Sequence, residues 1–234
     1  MQKMPQITVF PGSPMQAADV LDSGYAHVII ATGATWRRDG VGRHRWRPIP
    51  GADRSHVFTP DDIFAGRLPT DRVVVYDNDH FYLGGVIAEL LARQGCAVSL
   101  ITPAPLISYW TQNTLEQERI QQRLLKLGVM LHTQHALDAI EAEHVRAIDA
   151  QADRVLEQPC NAVVLLTDRL PNDTLYQQLK PALSEGTLQS LRVIGDAEAP
   201  HIIAQAVFAG HLAAREFDAE PIDGTPFRVE RVTV

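Results

Sequence analysis

Cysteine is nearly absent: Cys96 and Cys160 are the only two in 234 residues. They stand far apart in apolar contexts, which excludes a Cys-x-x-Cys redox pair, a disulfide framework and a sulfur-ligated metal site. Positive charge is in deficit as well. Against 28 Asp and Glu the chain has 21 Lys and Arg, a formal charge of -7. No nucleic-acid partner is expected, because phosphate binding needs a basic footprint. Nine histidines are scattered without ligand spacing, His132 and His135 flanking a strand boundary, so no metal is expected. No apolar run reaches the length of a bilayer span, and Met1-Gln2-Lys3-Met4-Pro5 lacks the pattern of a secretory leader. The expectation is a cytoplasmic protein with no membrane partner.

The most informative absence is a glycine fingerprint. Arg72–Thr102 has the layout of a dinucleotide-binding β-α-β unit: a buried strand at 72–76, an amphipathic helix Leu83–Gln94 and a second strand Ala97–Thr102. The helix carries Leu83, Ile87, Leu90 and Leu91 as one apolar stripe, and Gly95 stops it. Between first strand and helix, where closely spaced glycines would let the backbone wrap a pyrophosphate, the sequence is Asp77-Asn78-Asp79-His80-Phe81-Tyr82-Leu83-Gly84-Gly85. Carboxylates at that point repel a dianion. The second strand ends Leu100-Ile101-Thr102-Pro103, with neither the acid that receives an NAD ribose nor an arginine for a 2′-phosphate. NAD(P) binding by this unit is therefore not expected.

The rhythm around this unit is α/β. A helix Leu115–Leu127, a stop at Gly128 and a strand Val129–Thr133 are followed by three short segments, Ala136–Glu141, Val145–Asp149 and Arg154–Leu156. These suggest an antiparallel meander, and Asn161–Leu166 reads as a last buried strand. Two outer pieces flank this module. One holds an edge strand Ile7–Phe10 and a strand His27–Thr32; the other holds Ser190–Ile194, then Gly195-Asp196, and a helix from Ile202 to Phe217. Neither closes a sheet alone, so they are expected to pair into one interrupted domain. The resulting assignment is an outer domain over 1–68 plus 183–234 and an inner domain over 69–182. Five arginines, Arg37, Arg38, Arg43, Arg45 and Arg47, cluster among glycines and read as a solvated loop.

Ala31-Thr32-Gly33-Ala34 after an apolar strand, and Gly195-Asp196-Ala197-Glu198-Ala199-Pro200 before a helix bearing Gly210-His211-Leu212-Ala213, resemble the nucleotide-facing motifs of two-dinucleotide-domain flavoproteins. With Pro48-Ile49-Pro50-Gly51-Ala52 and Tyr82–Leu91, nearly the whole chain resembles the C-terminal tandem region of the trimethylamine, dimethylamine and histamine dehydrogenase family, related to 2,4-dienoyl-CoA reductase and NADH:flavin oxidoreductases. The resemblance implies a Rossmann-like three-layer sandwich of the FAD/NAD(P)-binding two-domain type, with the outer domain incomplete because no opening β-α-β with phosphate glycines is present.

It also implies a parent with an FMN-bearing barrel and an iron-sulfur cluster upstream, ADP or FAD in the tandem region, and an electron-transfer flavoprotein as possible partner. By carry-over, Ala31, Thr32, Gly33, Gly195, Asp196, Ala197 and Ile202 are the cofactor-binding residues, and no catalytic residue is assigned. Asp196 would meet a ribose or ribityl hydroxyl, Gly33 would let the backbone pass close to the nucleotide, and amides at the start of the Ile202 helix would face phosphate. The chain is then expected to be inactive alone, with ADP or FAD weak or absent. Two alternatives stand beside this: an autonomous NAD(P)H-dependent flavin reductase subunit using Gly84 and Gly85, and a non-enzymatic docking module for an electron-transfer partner. Phe81, Tyr82, Tyr109 and Trp110 are read as packing helix against loop in preference to forming a docking surface.

Overall fold

The computed structural model describes residues 4–149 and 151–218. In chain order it begins with helix α1 (Ala17–Asp22), strand β1 (His27–Ile30) and strand β2 (Ala34–Trp36). Then come β3 (Val57–Phe58), α2 (Pro60–Phe64), β4 (Arg72–Asp77), α3 (Tyr82–Arg93) and β5 (Ala97–Ile101). After a 3-10 turn at Tyr109–Thr114 follow α4 (Gln117–Lys126), β6 (Met130–His132), β7 (His135–Ile140), β8 (His144–Asp149), β9 (Val155–Pro159) and β10 (Ala162–Leu166). The chain then runs through β11 (Arg169–Pro171), α5 (Thr174–Ser184), β12 (Ser190–Val193), a 3-10 turn at Gly195–Ala197 and α6 (Ile203–Arg215).

Two compact units result, one formed by residues up to Ala34 together with those from Pro171, the other by Thr35–Leu170. The sequence reading divided the chain at 68/69 and 182/183, with crossings near 64–70 and 169–184; the observed units exchange at 34/35, well before the first, and at 170/171, at the near edge of the second. Pairing explains the difference. β3 hydrogen-bonds in parallel to β10, which draws the segment before β4 into the second unit. Leu179 and Ala182 of α5 pack with Leu188 and Leu191, which draws α5 into the first.

The Thr35–Leu170 unit is built on a five-stranded parallel sheet in the order β3-β10-β4-β5-β6. Its central strands are buried on both faces, which is why they read as unbroken apolar runs rather than alternating ones. One face, with Val73, Val75, Leu100, Val164 and Leu166, packs with Ile87, Ala88 and Leu91 of α3 and Leu124 of α4. The other face, with Val74, Tyr76, Ile101, Val163 and Leu165, packs under the antiparallel sheet β7-β8-β9 through Leu137, Ile140, Val145 and Ala147. Three layers follow, as the sequence rhythm implies. The apolar stripe of α3 differs in one member: Leu90 is 38% exposed, and the buried row is completed by Gly84, Gly85 and Ala88.

In the other unit β1 and β12 form a two-stranded parallel sheet, with Ile30 and Leu191 packed against Leu179, Ala182 and Val20. Ile7–Phe10 is not a strand, and Ile7, Val9 and Phe10 are exposed. Among the described residues no strand pairs with it, and an alternating apolar segment without a partner has no ladder to join. The expected helix from Ile202 to Phe217 is observed as Ile203–Arg215.

Candidate functional site: two strand-end crevices

All seven site residues expected from sequence lie in the unit containing β1 and β12. The in-register parallel pairing of these strands, His27 with Ser190 through Ile30 with Val193, brings their carboxyl ends side by side. The Ile194 amide donates to the Ile30 carbonyl (2.9 Å) and carries the pairing one residue further. Ala31–Gly33 and Gly195–Ala197 therefore emerge next to each other although far apart in sequence. Open parallel sheets bind ligands outside such carboxyl ends.

Local geometry there is specific. Gly33 has φ +75°, and a Cβ placed on it would meet no atom within 4 Å, so the backbone at this point faces open space. The Thr32 hydroxyl donates to the Asn172 carbonyl (2.5 Å), while the Asn172 side-chain amide and backbone N–H donate to the Thr32 (3.3 Å) and Gly33 (2.9 Å) carbonyls. Asn172 thus holds the Thr32–Gly33 turn in place, a role that nothing in the sequence signals. Gly195 sits at φ +62° at the start of its 3-10 turn, with Ala197 buried. The Asp196 carboxylate accepts from the His201 amide (3.1 Å), fixing the approach to α6, for which Ile202 is the extended N-cap residue. An open backbone at Gly33, an oriented carboxylate at Asp196 and a helix N-terminus form a set able to hold a nucleotide. Cys160 is fully buried with its thiol pushed up to about 11 by burial, and Cys96 donates to the Pro69 carbonyl (3.5 Å).

The second crevice belongs to the five-stranded sheet. β4 neighbours the next strand in sequence, β5, on one side and the last, β10, on the other, so connections reverse direction between β4 and β10. Here the sequence places acids, and the structure turns the first of them inward. Asp77 is fully buried; its Oδ1 accepts from the Asp79 (3.1 Å) and His80 (2.9 Å) amides, and its Oδ2 has no partner among the described residues. Burial pushes its pKa up to about 7, against the His80 amide and with help from the Asp79 charge. His80, held at φ +68°, has its pKa pulled down to about 4, first by burial and then by Arg43 and His44. The Asp79 carboxyl is also raised by burial, opposed by Arg169 and Arg43.

The arginine cluster lies on an irregular loop with Arg38, Arg43 and Arg47 exposed, as the sequence suggests, but four of its five members are also held by partners. Arg37 pairs with Asp39 (2.6 Å), Arg38 with the buried Asp62 (2.5 Å) and Arg45 with Asp138 (3.6 Å), while Arg43 lies over the Phe81 ring at 5.8 Å. Phe81 in turn stacks on Trp110 (centroids 6.1 Å), which meets Tyr109 edge-on. These three rings pack on one another, as the packing reading expects, but Tyr82 takes no part, and Tyr82, Tyr109 and Trp110 remain exposed. Asp62 is the residue whose role the sequence hides. It accepts from Arg38, Arg67 and the Thr59 amide, and these partners outweigh burial to hold its pKa below the usual range.

Comparison with known proteins agrees with this architecture. No protein-family model matches the chain. It is 34% identical over 243 residues to dimethylamine dehydrogenase of Hyphomicrobium sp. (strain x), covering 93% of this chain and 33% of that protein. Among solved structures it is similar to 6-hydroxypseudooxynicotine amine oxidase from Pseudomonas geniculata N1, at 40% identity and TM-score 0.91 over 93% of this chain and 33% of that one. It is similar also to histamine dehydrogenase from Rhizobium sp. 4-9, at 41% identity and TM-score 0.88 over 95% and 33%. The chain spans about a third of the length of the relatives it matches. Among the described residues no helix is long and apolar enough to cross a membrane. The fold, the paired strand-end motifs and these likenesses together identify the chain as the C-terminal tandem dinucleotide-fold region of the dimethylamine and histamine dehydrogenase family.

Proposed function

We propose that this chain is the nucleotide-binding and scaffolding portion of an amine-oxidising flavoprotein, and that it does not turn over substrate by itself. The observation that carries the reading is the in-register pairing of β1 with β12, which sets Thr32–Gly33 beside Gly195–Asp196. The nucleotide is ADP or the ADP half of FAD: Asp196 receives a ribose or ribityl hydroxyl, Gly33 admits the backbone close to it, and amides after Ile202 face phosphate. FMN and an iron-sulfur cluster belong to the remaining two-thirds of the relatives' length. Amine oxidation and onward electron transfer, in which an electron-transfer flavoprotein is the natural acceptor, belong with them.

The unit is a partial one. Among the described residues its sheet has two strands, and α6 exposes Ile203, Val207, Phe208 and Leu212, an apolar row suited to cover by further elements of the same domain. A protein extended upstream to include a β-α-β unit with phosphate glycines should therefore retain ADP or FAD on purification, whereas the 234-residue chain should carry little. Each charge-assisted backbone hydrogen bond missing from the cradle removes about 1.5–3 kcal/mol, so two weaken binding by more than about a hundredfold. In the longer protein Asp196→Ala should lower ADP affinity about tenfold, read by calorimetry. Stoichiometric FAD in the 234-residue chain would overturn the reading, and micromolar binding of NADH or NADPH would replace it with that of a nicotinamide-dependent reductase.

A further inference from the structure

The crevice between β4 and β10 is where an open parallel sheet of this order takes its ligand, yet its walls touch. Two pieces of the chain meet there. From the helix side comes the Asp77 carboxyl, packed so tightly on the first turn of α3 that a Cβ on Gly84 would lie 2.5 Å from its Cγ. It already takes the Asp79 and His80 amides, the backbone donors at the strand-to-helix turn that a phosphate oxygen would otherwise use.

From the opposite side comes the loop carrying Gly42. A Cβ on Gly42 would lie 2.7 Å from the Asn78 amide group and 3.1 Å from the Thr167 Cβ, so this backbone rests directly on the carboxyl ends of both strands. The loop is closed on itself by Gly42 N–H to Arg45 carbonyl (2.9 Å) and by the reverse bond (3.3 Å). It is fastened to the crevice by Asn78: with the side-chain amide turned over so that its oxygen rather than its nitrogen faces the loop, the orientation that gives the Arg43 and His44 backbone amides an acceptor, that oxygen lies 3.1 Å and 3.2 Å from them. Asn78 itself is anchored across the strands through its own amide to the Leu166 carbonyl (2.8 Å). Gly40, at φ +77° against the Ile49 side chain, makes the turn that directs the loop inward. Arg43, above the Phe81 ring, faces the Asp79 carboxyl and helps to offset its charge at the crevice mouth.

We propose that this crevice is a dinucleotide site filled by the chain's own residues, with the Asp77 carboxyl standing in for a phosphate on α3 and the 40–45 loop occupying the volume beside it. Loss of the glycine fingerprint is then half of a substitution whose other half is the loop, and the five-stranded unit is closed to nicotinamide dinucleotides by steric occupancy as well as by charge. The inference rests on reading this unit as a dinucleotide fold with no nicotinamide role.

Two measurements test it. The first is hydrogen-deuterium exchange on the unaltered 234-residue chain. Arg43 and His44 carry exposed side chains, so in an open loop their amides would exchange at the unprotected rate; fastened to Asn78 they should exchange at least about a hundredfold more slowly. Asn78→Ala should abolish that protection. Unprotected exchange in the unaltered chain overturns the plug.

The second is titration with NADH, followed by nicotinamide fluorescence. The unaltered chain should show no binding at millimolar concentration. A variant combining Asp77→Gly with residues 41–46 replaced by a short Gly-Ser linker should bind at least about tenfold more tightly, a difference of about 1.4 kcal/mol. If that variant melts cooperatively and still binds no better than the unaltered chain, occupancy is not what excludes the dinucleotide; if it does not fold, the exchange measurement decides alone. Fast loop exchange without NADH binding sinks the plug and leaves the family-based function standing, whereas micromolar NADH affinity in the unaltered chain sinks both.

Discussion

Asp77→Asn should make stability far less sensitive to rising pH. The Asp77 carboxyl is fully buried, and burial lifts its pKa from 3.8 to about 7, with the Asp79 charge adding to the rise and the His80 and Asp79 amides opposing it. A folded pKa above the unfolded value means that the native state holds the proton more tightly. The resulting stability is fully present below the unfolded pKa and is lost as pH climbs through the folded one. At about 1.4 kcal/mol per pKa unit, a rise from 3.8 to about 7 corresponds to about 4 kcal/mol lost between about pH 4 and pH 8.

Asparagine keeps the oxygen that accepts the Asp79 and His80 amides and cannot ionise. His80 contributes a slope of opposite sign, because its folded pKa of about 4 lies below the ordinary 6.5, so its contribution grows as pH rises across that window. That contribution is common to both proteins and cancels in their difference. In urea titrations from about pH 4 to 8, the unfolding free energy of the variant minus that of the unaltered chain should therefore grow by about 4 kcal/mol, most of it below about pH 7. A difference that does not vary with pH would refute the buried, proton-holding carboxyl.

Gly84→Ala should destabilise by about 1–2 kcal/mol in thermal or urea melts, because the clash of its Cβ with Asp77 outweighs the roughly 1 kcal/mol gained in helix propensity. In an Asp77→Gly background the same change should become stabilising; equal effects in both backgrounds would show that the two residues do not touch. Asp62→Asn should cost about 2 kcal/mol at neutral pH, since it weakens charge-assisted bonds from Arg38 and Arg67 whose own side chains remain half in water. Because the Asp62 pKa is held low in the folded state, this cost should shrink as pH falls through that lowered value, which acid titration of both proteins will show.

The sequence alone determines the layering of the Thr35–Leu170 unit. Runs such as Arg72-Val73-Val74-Val75-Tyr76 have no polar face to turn to water, so they can only be central parallel strands, and the helical spacing of Ile87 and Leu91 supplies their cover. Short segments with turn residues between them likewise determine the β7-β8-β9 meander. Strand order and loop placement are another matter, because they depend on contacts between residues distant in the chain.

Nothing local in Val57–Phe58 announces that it will join β10, and this pairing moves the boundary between the units. Ile7–Phe10 has the composition of a strand but finds no ladder. Asn172 holds Thr32 and Gly33 from a distant part of the chain, and Asp62 gathers Arg38 and Arg67. The missing glycine fingerprint is legible in Asp77–Tyr82, because a charge at a strand tip has the same meaning in any fold of this type. What fills the space left behind is decided only in three dimensions, where Gly42 meets Asn78 and Thr167: van der Waals contact and backbone hydrogen bonding act between surfaces that sequence separation does not reveal.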